Sequence, residues 1–365
     1  MSALLTMDAV MDAALLVVIA GGGTGGHLYP AMAIGEALAE RGVRVHYVGS
    51  TAGIEARVLP QTGVDHTLLP SARLRGGGPL VALRGLAGLG RSVARALSLL
   101  RSLRPAVVVG AGGYASGAAV IAAWLLGIPV VVQEQNAVPG LTNKVAGRLA
   151  RRVFVSFAPA VGSFPTGRAE VAGNPIRRGI REALVDAGDG RGLLVFGGSQ
   201  GARFLNEQVP ALVARLGVPV LHQTGASDVE ATRARYAALG VEADVRPYID
   251  DMAAAYAGAS LAICRAGAST IAELLAVGLP AVLVPFPFAA HDHQAANARV
   301  LDEAGAAIMV RQEEWDLDVV ARRVRALLAD PARLAGMGAA ARSLAHPDAA
   351  DHIAEAVLGL ARGEA

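Results

Sequence analysis

The sequence predicts an α/β protein of two Rossmann-like, doubly wound domains facing a cleft. Three observations carry this. Apolar runs of strand length alternate with helix-length segments nearly throughout the 365 residues, the pattern of parallel sheets. Glycine-rich loops follow those runs in both halves. A Pro/Gly-rich stretch separates two series of similar size.

The first strand series is expected at Leu15–Ala20, Val43–Gly49, Ala106–Gly110, Pro129–Gln133 and Arg152–Ser156. Phe164-Pro165-Thr166-Gly167, leading to Gly173-Asn174-Pro175, reads as a linker. The second series is expected at Leu193–Phe196, Val218–Gln223, Asp244–Pro247, Leu261–Cys264 and Ala281–Val284. This places one domain over 14–164 and the other over 165–346. The start, MSALLTMDAVMDA, lacks a basic n-region and carries Asp8 and Asp12, so it is read as a flexible tail over 1–13 and not a signal peptide. Met7 or Met11 could be the true start. The span between Arg104 and Glu134 carries no charge and is long enough to suggest a membrane helix. Its glycines and Pro129 divide it instead into strand, loop, helix and strand, a soluble βαβ unit.

Composition narrows the function classes. Cys264 is the only cysteine, so no disulfide framework is possible and a reducing compartment is expected. Net charge is +2, but residues 1–160 hold 14 Lys and Arg against 7 Asp and Glu. The basic half suits an anionic surface, or reflects arginines on solvated helix faces.

Four strand-to-helix junctions are glycine-rich: GGGTGGH (21–27), GAGGYASG (110–117), GGSQGA (197–202) and CRAGAST (264–270). Ligands of open α/β sheets bind at such carboxyl ends. Gly21, Gly23 and Gly26 fit G-x-G-x-x-G, but no acid ends the second strand to hold a ribose, and Glu55 lies deeper. A nicotinamide site therefore fails its own check. His27 stands at a helix start, as a cap or as a chemical group. GGSQGA offers backbone N–H groups, the Ser199 hydroxyl and a helix dipole to an anion. No Gly-Lys-Ser/Thr follows, so another cation is wanted, and Arg177 is a candidate. Glu273, one turn into the helix from Ala268, could complement the dipole or accept a ribose diol. His291 and His293 form H-x-H without further ligands, which argues against metal.

An ordered set of motifs now stands out: GGTGGH, GGYASG, EQNAVPGLTNK (134–144), GNPIR (173–177), GGSQGA, QTG (223–225), YIDDMAAAYA (248–257) and CRAGASTIAE (264–273). Together they resemble the MurG family, from about Leu15 to Leu360. These are peripheral glycosyltransferases of the GT-B fold that add N-acetylglucosamine to the polyprenyl-diphosphate-linked muramyl-pentapeptide of peptidoglycan synthesis. The resemblance implies UDP-N-acetylglucosamine as donor, held mainly by the C-terminal domain. It implies diphosphate contacts from Ser199 and Arg177 and backbone from Ile249 to the uracil. Ala268, Ser269, Thr270, Ile271, Ala272 and Glu273 then line the nucleotide, with Glu273 on the ribose. Gln294 reads the sugar, although His293-Gln294 replaces the paired glutamines of some members. Thr24, Gly25, Gly26 and Asn136 close on the donor from the N-terminal side.

The family reaction inverts the anomeric carbon, giving a β-1,4 linkage. It needs a base for the acceptor hydroxyl and stabilisation of departing UDP, with no metal or other cofactor. His27 is the leading base, since imidazole titrates near neutrality. Glu134 and Asn136 compete for that role, and Tyr114 helps to position the acceptor. A lipid acceptor implies an anionic membrane surface as partner, and no nucleic acid. The expected place is the cytoplasmic face of the cell membrane. Arg73, Arg75, Leu80, Leu83, Arg84, Leu86 and Trp124 form the expected patch in the acceptor-side domain. A helix over 347–365 is expected to return to that domain, as in related folds. A UDP-N-acetylglucosamine epimerase and a non-catalytic nucleotide-sugar or polyprenyl-phosphate binder are the alternatives.

Overall fold

The structure, a computed structural model, describes residues 15–70, 79–182, 190 and 192–364. They form two compact units. The first ends at Ile176 and is rejoined at Asp348, and Arg177–Pro347 form the second. The expected tail over 1–13 lies outside the described residues.

In the first unit β1 (Leu16–Ala20), α1 (Gly25–Glu40), β2 (Arg44–Ser50), α2 (Glu55–Thr62), β3 (His66–Leu69) and α3 (Pro79–Leu103) alternate. They are followed by β4 (Val107–Gly110), α4 (Tyr114–Leu125), β5 (Val130–Glu134), α5 (Leu141–Leu149), β6 (Arg152–Val155) and β7 (Ala169–Val171). The seven strands are parallel in the order β3-β2-β1-β4-β5-β6-β7. Both faces of the sheet centre are covered, so β1 and β4 are apolar and buried throughout. Val17, Ile19, Val107, Val109 and Val131 pack with α1 and the terminal helix Ala349–Arg362. Val18, Ala20, Val108, Val130 and Val132 pack with α3, α4 and α5. The uncharged stretch is thus a βαβ unit. Among the described residues no helix is long and apolar enough to cross a membrane.

The terminal helix docks by burying Ile353, Ala354 and Val357. Its Asp351 also accepts from Arg41 Nη1 at 2.9 Å. That pair is partly solvated and contributes less than about 1 kcal/mol, so the apolar side chains hold the helix. The first unit extends past the expected boundary at 164. Pro165–Gly167 is a turn, with Gly167 at φ +77°, and it leads into the edge strand β7, which pairs with β6.

The second unit runs α6 (Arg178–Glu182), β8 (Gly192–Phe196), α7 (Arg203–Leu216), β9 (Val220–Gln223), α8 (Val229–Ala238) and β10 (Asp244–Arg246). It continues with α9 (Met252–Ala257), β11 (Ala259–Cys264), α10 (Ala268–Val277), β12 (Ala281–Leu283), α11 (His293–Glu303), β13 (Ala307–Met309), α12 (Leu317–Leu328) and α13 (Pro331–Ser343). Its strands are parallel in the order β10-β9-β8-β11-β12-β13. Each sheet reverses its winding once, between β1 and β4 and between β8 and β11. The four glycine-rich junctions follow these four strands.

A buried polar chain braces the second unit. Asn206 Nδ2 donates to the Thr224 carbonyl at 3.0 Å and to Asp228 at 2.9 Å, which leaves its oxygen to accept from His222 Nε2 at 3.1 Å. The Tyr236 hydroxyl donates to His222 Nδ1 at 3.0 Å. Burial pushes the His222 imidazole down from 6.5 to about 3. The unfolded chain binds this proton below about pH 6.5, while the fold refuses it until about pH 3. Stability should therefore fall as pH drops through that window, by about 1.4 kcal/mol per pH unit at most from this group. Urea midpoints of the wild type and His222→Gln, taken from pH 7 to pH 4, should show a flatter acid limb in the variant. Identical limbs would assign the acid sensitivity elsewhere.

Candidate active site

The candidate residues of the first unit stand on two loops in close apposition. The Gly22 N–H donates to the Gly112 carbonyl at 3.3 Å. A Cβ on Gly113 would collide with the Gly22 carbonyl. Gly112 and Gly113 hold φ of +90° and +85°, a region that favours glycine. Beneath them lies Glu55, fully buried. Its carboxylate accepts from the Gly23 N–H at 2.7 Å and the Ser50 N–H at 2.8 Å. Gly22, Gly49 and Gly53 surround it, and a Cβ on any of them would strike its side chain. The glycine spacing thus serves the approach of the two loops and a carboxyl group supplied by the chain itself.

His27 lies in the first turn of α1, half-buried, with Nδ1 2.8 Å from Gln135 Oε1. Its ring lies against Gly112, where a Cβ would come within 2.8 Å of Nδ1. Thr24 is the N-cap and makes no side-chain cap, and Gly25 and Gly26 open a helix with no acid in its first turn. Tyr114 starts α4, and its hydroxyl is buried without a partner. Glu134, at the end of β5, is buried and turned into its own loop. It accepts from the Asn136 N–H at 2.8 Å, the Gly140 N–H at 3.2 Å and Asn143 Nδ2 at 2.9 Å. It also accepts from Asn136 Nδ2 at 3.3 Å. That saturation makes Glu134 the organiser of the 135–140 loop.

In the second unit the GGSQGA loop is pinned on the QTG segment. Gly201 faces the Thr224 carbonyl and Gly225 the Gln200 carbonyl, each too closely for a Cβ. Gln223 Nε2 donates to the Gly198 carbonyl at 2.9 Å, and its oxygen accepts from the Ile249 N–H at 2.9 Å. What Ile249 could offer a base is therefore its carbonyl. Ser199 is exposed at the loop tip. Helix α7 behind it has neither a side-chain cap nor an acid in its first turn, so its positive end is left uncompensated.

Glu273 is held between two partners. Arg177 Nε and Nη2 each stand 3.0 Å from Oε1, and the Tyr256 hydroxyl donates to Oε2 at 2.8 Å. Burial raises the Glu273 carboxyl above its ordinary range, and the Arg177 charge opposes that shift. Ala268, Ser269, Thr270, Ile271 and Ala272 form the first turns of α10, which also lacks a side-chain cap. The Ser269 hydroxyl is buried without a partner. Gln294 begins α11 from its second residue, and its oxygen accepts from the Phe286 N–H at 2.9 Å. His293 Nδ1–H donates to the Ala290 carbonyl at 2.8 Å, and Asp292 pairs with Arg311 at 2.8 Å. Among the described residues no three His, Cys, Asp or Glu side chains group as a metal site.

Trp124 and Leu125 end α4, each 54% exposed, and α5 presents Leu141 at 72% and Val145 at 42%. Lys144 and Arg148 fall on the same α5 face by helical spacing. Arg73 and Arg75 lie outside the described residues, as do the side chains of Leu80, Leu83, Arg84 and Leu86. Sequence reading missed Gln135, Gln223, Tyr256 and the role of Glu55. Only the last left a signal, in the glycines at 22, 49 and 53.

Comparison with known proteins gives concordant matches. Residues 17–155 match the model of the glycosyltransferase family 28 N-terminal domain, and 192–353 that of its C-terminal domain. A UDP-N-acetylglucosamine--N-acetylmuramyl-(pentapeptide) pyrophosphoryl-undecaprenol N-acetylglucosamine transferase of Myxococcus xanthus is 45% identical, covering 94% of this chain and 92% of its own. The protein of that name from Alkalilimnicola ehrlichii is 46% identical over 95% and 99%. The crystal structure of Acinetobacter baumannii MurG superposes with a TM-score of 0.79 at 34% identity, covering 94% of this chain and 99% of that one. A UDP-N-acetylglucosamine 2-epimerase of Listeria monocytogenes, described as putative in its own name, covers 93% of this chain and 94% of its own. It reaches a TM-score of 0.64 at 14% identity, a likeness of fold alone.

Proposed function

Because the chain belongs to glycosyltransferase family 28, among its MurG members, we propose how its residues carry out the family's transfer. The enzyme moves N-acetylglucosamine from UDP-N-acetylglucosamine to the lipid-linked N-acetylmuramyl-pentapeptide in peptidoglycan synthesis. One observation carries the donor assignment. Glu273 is a buried carboxylate with both oxygens oriented, one by Arg177 and one by Tyr256. Such a group suits a vicinal diol, which offers two hydroxyl donors to one acid. The ribose of UDP therefore lies on Glu273, and the first turns of α10, with the unpartnered Ser269 hydroxyl, line the nucleotide.

The diphosphate takes the uncapped start of α7, Ser199 and Arg177. In the reaction the acceptor O4 attacks the sugar C1, and the bond from C1 to the diphosphate oxygen breaks. UDP departs with that electron pair. Amides, a helix dipole and a guanidinium meet the charge where it develops, so the transfer requires no metal. His27 takes the O4 proton, since Glu134 spends its oxygens on its own loop. Gln294 presents its Nε2 to the donor sugar. Thr24, Gly25, Gly26 and Asn136 are the first-unit residues assigned to the donor, and Tyr114 to the acceptor.

The enzyme acts as a peripheral protein on the cytoplasmic face of the membrane, with the first unit towards the lipid. Supporting this are the exposed Trp124, Leu125, Leu141 and Val145, the cations Lys144 and Arg148 beside them, and the basic balance of residues 1–160. Apolar side chains ringed by cations fit an anionic leaflet.

Three measurements test this reading. Radiolabelled donor and a soluble short-chain lipid acceptor should give transfer in EDTA. His27→Ala should lower kcat by about 10²- to 10⁴-fold with the donor KM within about twofold. Epimerised sugar nucleotide without transfer, from folded wild type that binds UDP, would sink the function. Glu273→Gln should raise the donor KM by about ten- to a hundredfold, the loss of a charge-assisted hydrogen bond. An unchanged KM would remove Glu273 from the ribose. Trp124→Ser with Leu125→Ser should cut co-sedimentation with anionic vesicles by at least about tenfold, leaving turnover of the soluble acceptor intact. Undiminished pelleting would move the membrane face elsewhere.

A further inference from the structure

We propose that Gln135 is a positioning residue that holds His27 in the tautomer protonated on Nδ1, leaving Nε2 as the basic nitrogen. The inference rests on the reading of His27 as the base, and it names the group that makes the base competent.

The argument runs from a backbone carbonyl outwards. Gln135 is 1% exposed, so its amide has no water to satisfy it. One terminus stands 2.8 Å from the Ala111 carbonyl oxygen and also contacts Gln133 Oε1. A carbonyl only accepts, so that terminus is the nitrogen. The other terminus is then the oxygen, and it stands 2.8 Å from His27 Nδ1. An amide oxygen only accepts as well, so Nδ1 carries the hydrogen. The neutral imidazole has one hydrogen, which leaves the lone pair on Nε2. Turning the amide over would set oxygen against the Ala111 carbonyl and NH2 against Nδ1, losing two buried hydrogen bonds for one.

The nitrogen end is anchored further. Gln133, also fully buried, donates from Nε2 to Asn174 Oδ1 at 3.0 Å and to Ser156 Oγ at 3.4 Å. Its own oxygen is thereby left to accept from Gln135. The chain of amides is polarised in one direction, from Gln135 through Gln133 to Asn174. Gly112 fixes the imidazole from the side, because its missing Cβ is what lets the ring lie there. The ring is held in place by sterics and in tautomer by an amide.

Free histidine favours hydrogen on Nε2, the form that cannot accept a proton there. Gln135 thus reverses the intrinsic preference. The step it enables is the transfer of the O4 hydrogen to Nε2, after which both ring nitrogens carry hydrogen and Nδ1–H still donates to Gln135.

The test is nitrogen NMR of the full-length protein labelled with 15N-histidine, with the His27 signals identified by their loss in His27→Ala. In the wild type, neutral His27 should show hydrogen on Nδ1. In Gln135→Leu it should revert mainly to hydrogen on Nε2, with kcat lower by about a hundredfold and the donor KM within about twofold. Gln135→Glu, carried as the neutral acid, has a hydroxyl to donate to the Ala111 carbonyl and still offers an oxygen to Nδ1, and should keep the Nδ1–H form and recover at least about tenfold of that loss. Nε2–H in the wild type overturns the proposal, and that spectrum decides the tautomer even if the leucine variant fails to fold. A leucine variant with wild-type kcat also overturns it when His27→Ala is inactive. Full transfer by His27→Ala alongside an Nδ1–H spectrum instead fails the base reading, which separates the two.

Discussion

The candidate residues of each unit depend on backbone approaching backbone at the carboxyl ends of neighbouring strands. In the first unit, the loops after β1 and β4 meet at Gly22 and Gly113, where the carbonyl of one occupies the Cβ position of the other. In the second, the loops after β8 and β9 meet at Gly201 with Thr224 and at Gly225 with Gln200. A side chain at any of these points would part the loops by ångströms. The helices that follow would then no longer present their first turns at the carboxyl ends of the strands. Parallel topology brings the loops together, and glycine lets them stay.

Such crowding strands backbone N–H groups, and the fold answers with buried side chains. Glu55 takes those of Gly23 and Ser50, and Glu134 those of Asn136 and Gly140. Gln223 takes that of Ile249 and returns a hydrogen bond to Gly198. A buried carboxylate without donors is costly to ionise. One that accepts two or three N–H bonds has its oxygens occupied and stiffens its loop. The first two acids are therefore spent on architecture. Glu273 differs, since its partners are a half-exposed Arg177 and a tyrosine. Arg177 is also the cation proposed for the diphosphate, and on that reading donor binding would divide its charge between Glu273 and the ligand. Tyr256 keeps the carboxylate oriented meanwhile.

The sequence disclosed the sheet centres and the glycine junctions, because those features are local. A central strand is apolar on both faces, as in LVVIA or VVVG, and is legible without knowing its neighbours. The edges were not. His66–Leu69, Ala169–Val171 and Ala307–Met309 are only three or four residues long, and the first two are buried on one side at most. The turn at 165–167 consequently passed for a boundary that lies at Ile176. Glu273 and Ser199 could be singled out as candidates because motif and helix start coincide. Gln135 and Tyr256 were not, since an amide or a phenol has meaning only through its partner, 108 residues away from His27 in one case and 17 from Glu273 in the other.

The choice of an amide beside His27 follows from the same surroundings. The position must donate to the Ala111 carbonyl and accept from Nδ1–H, and among side chains of that length glutamine does both in one plane. A carboxylate would accept from the imidazole more strongly. At 1% exposure, however, it would set one oxygen against a carbonyl with no donor in return. It would also stand next in sequence to Glu134, an acid already buried there. The donors of that loop are committed to Glu134, so a second charge would be desolvated without compensation. A neutral amide fixes the tautomer at no such cost. On the reading of His27 as the base, its imidazolium would be stabilised by the Nδ1–H bond to Gln135 and not by a buried acid behind it.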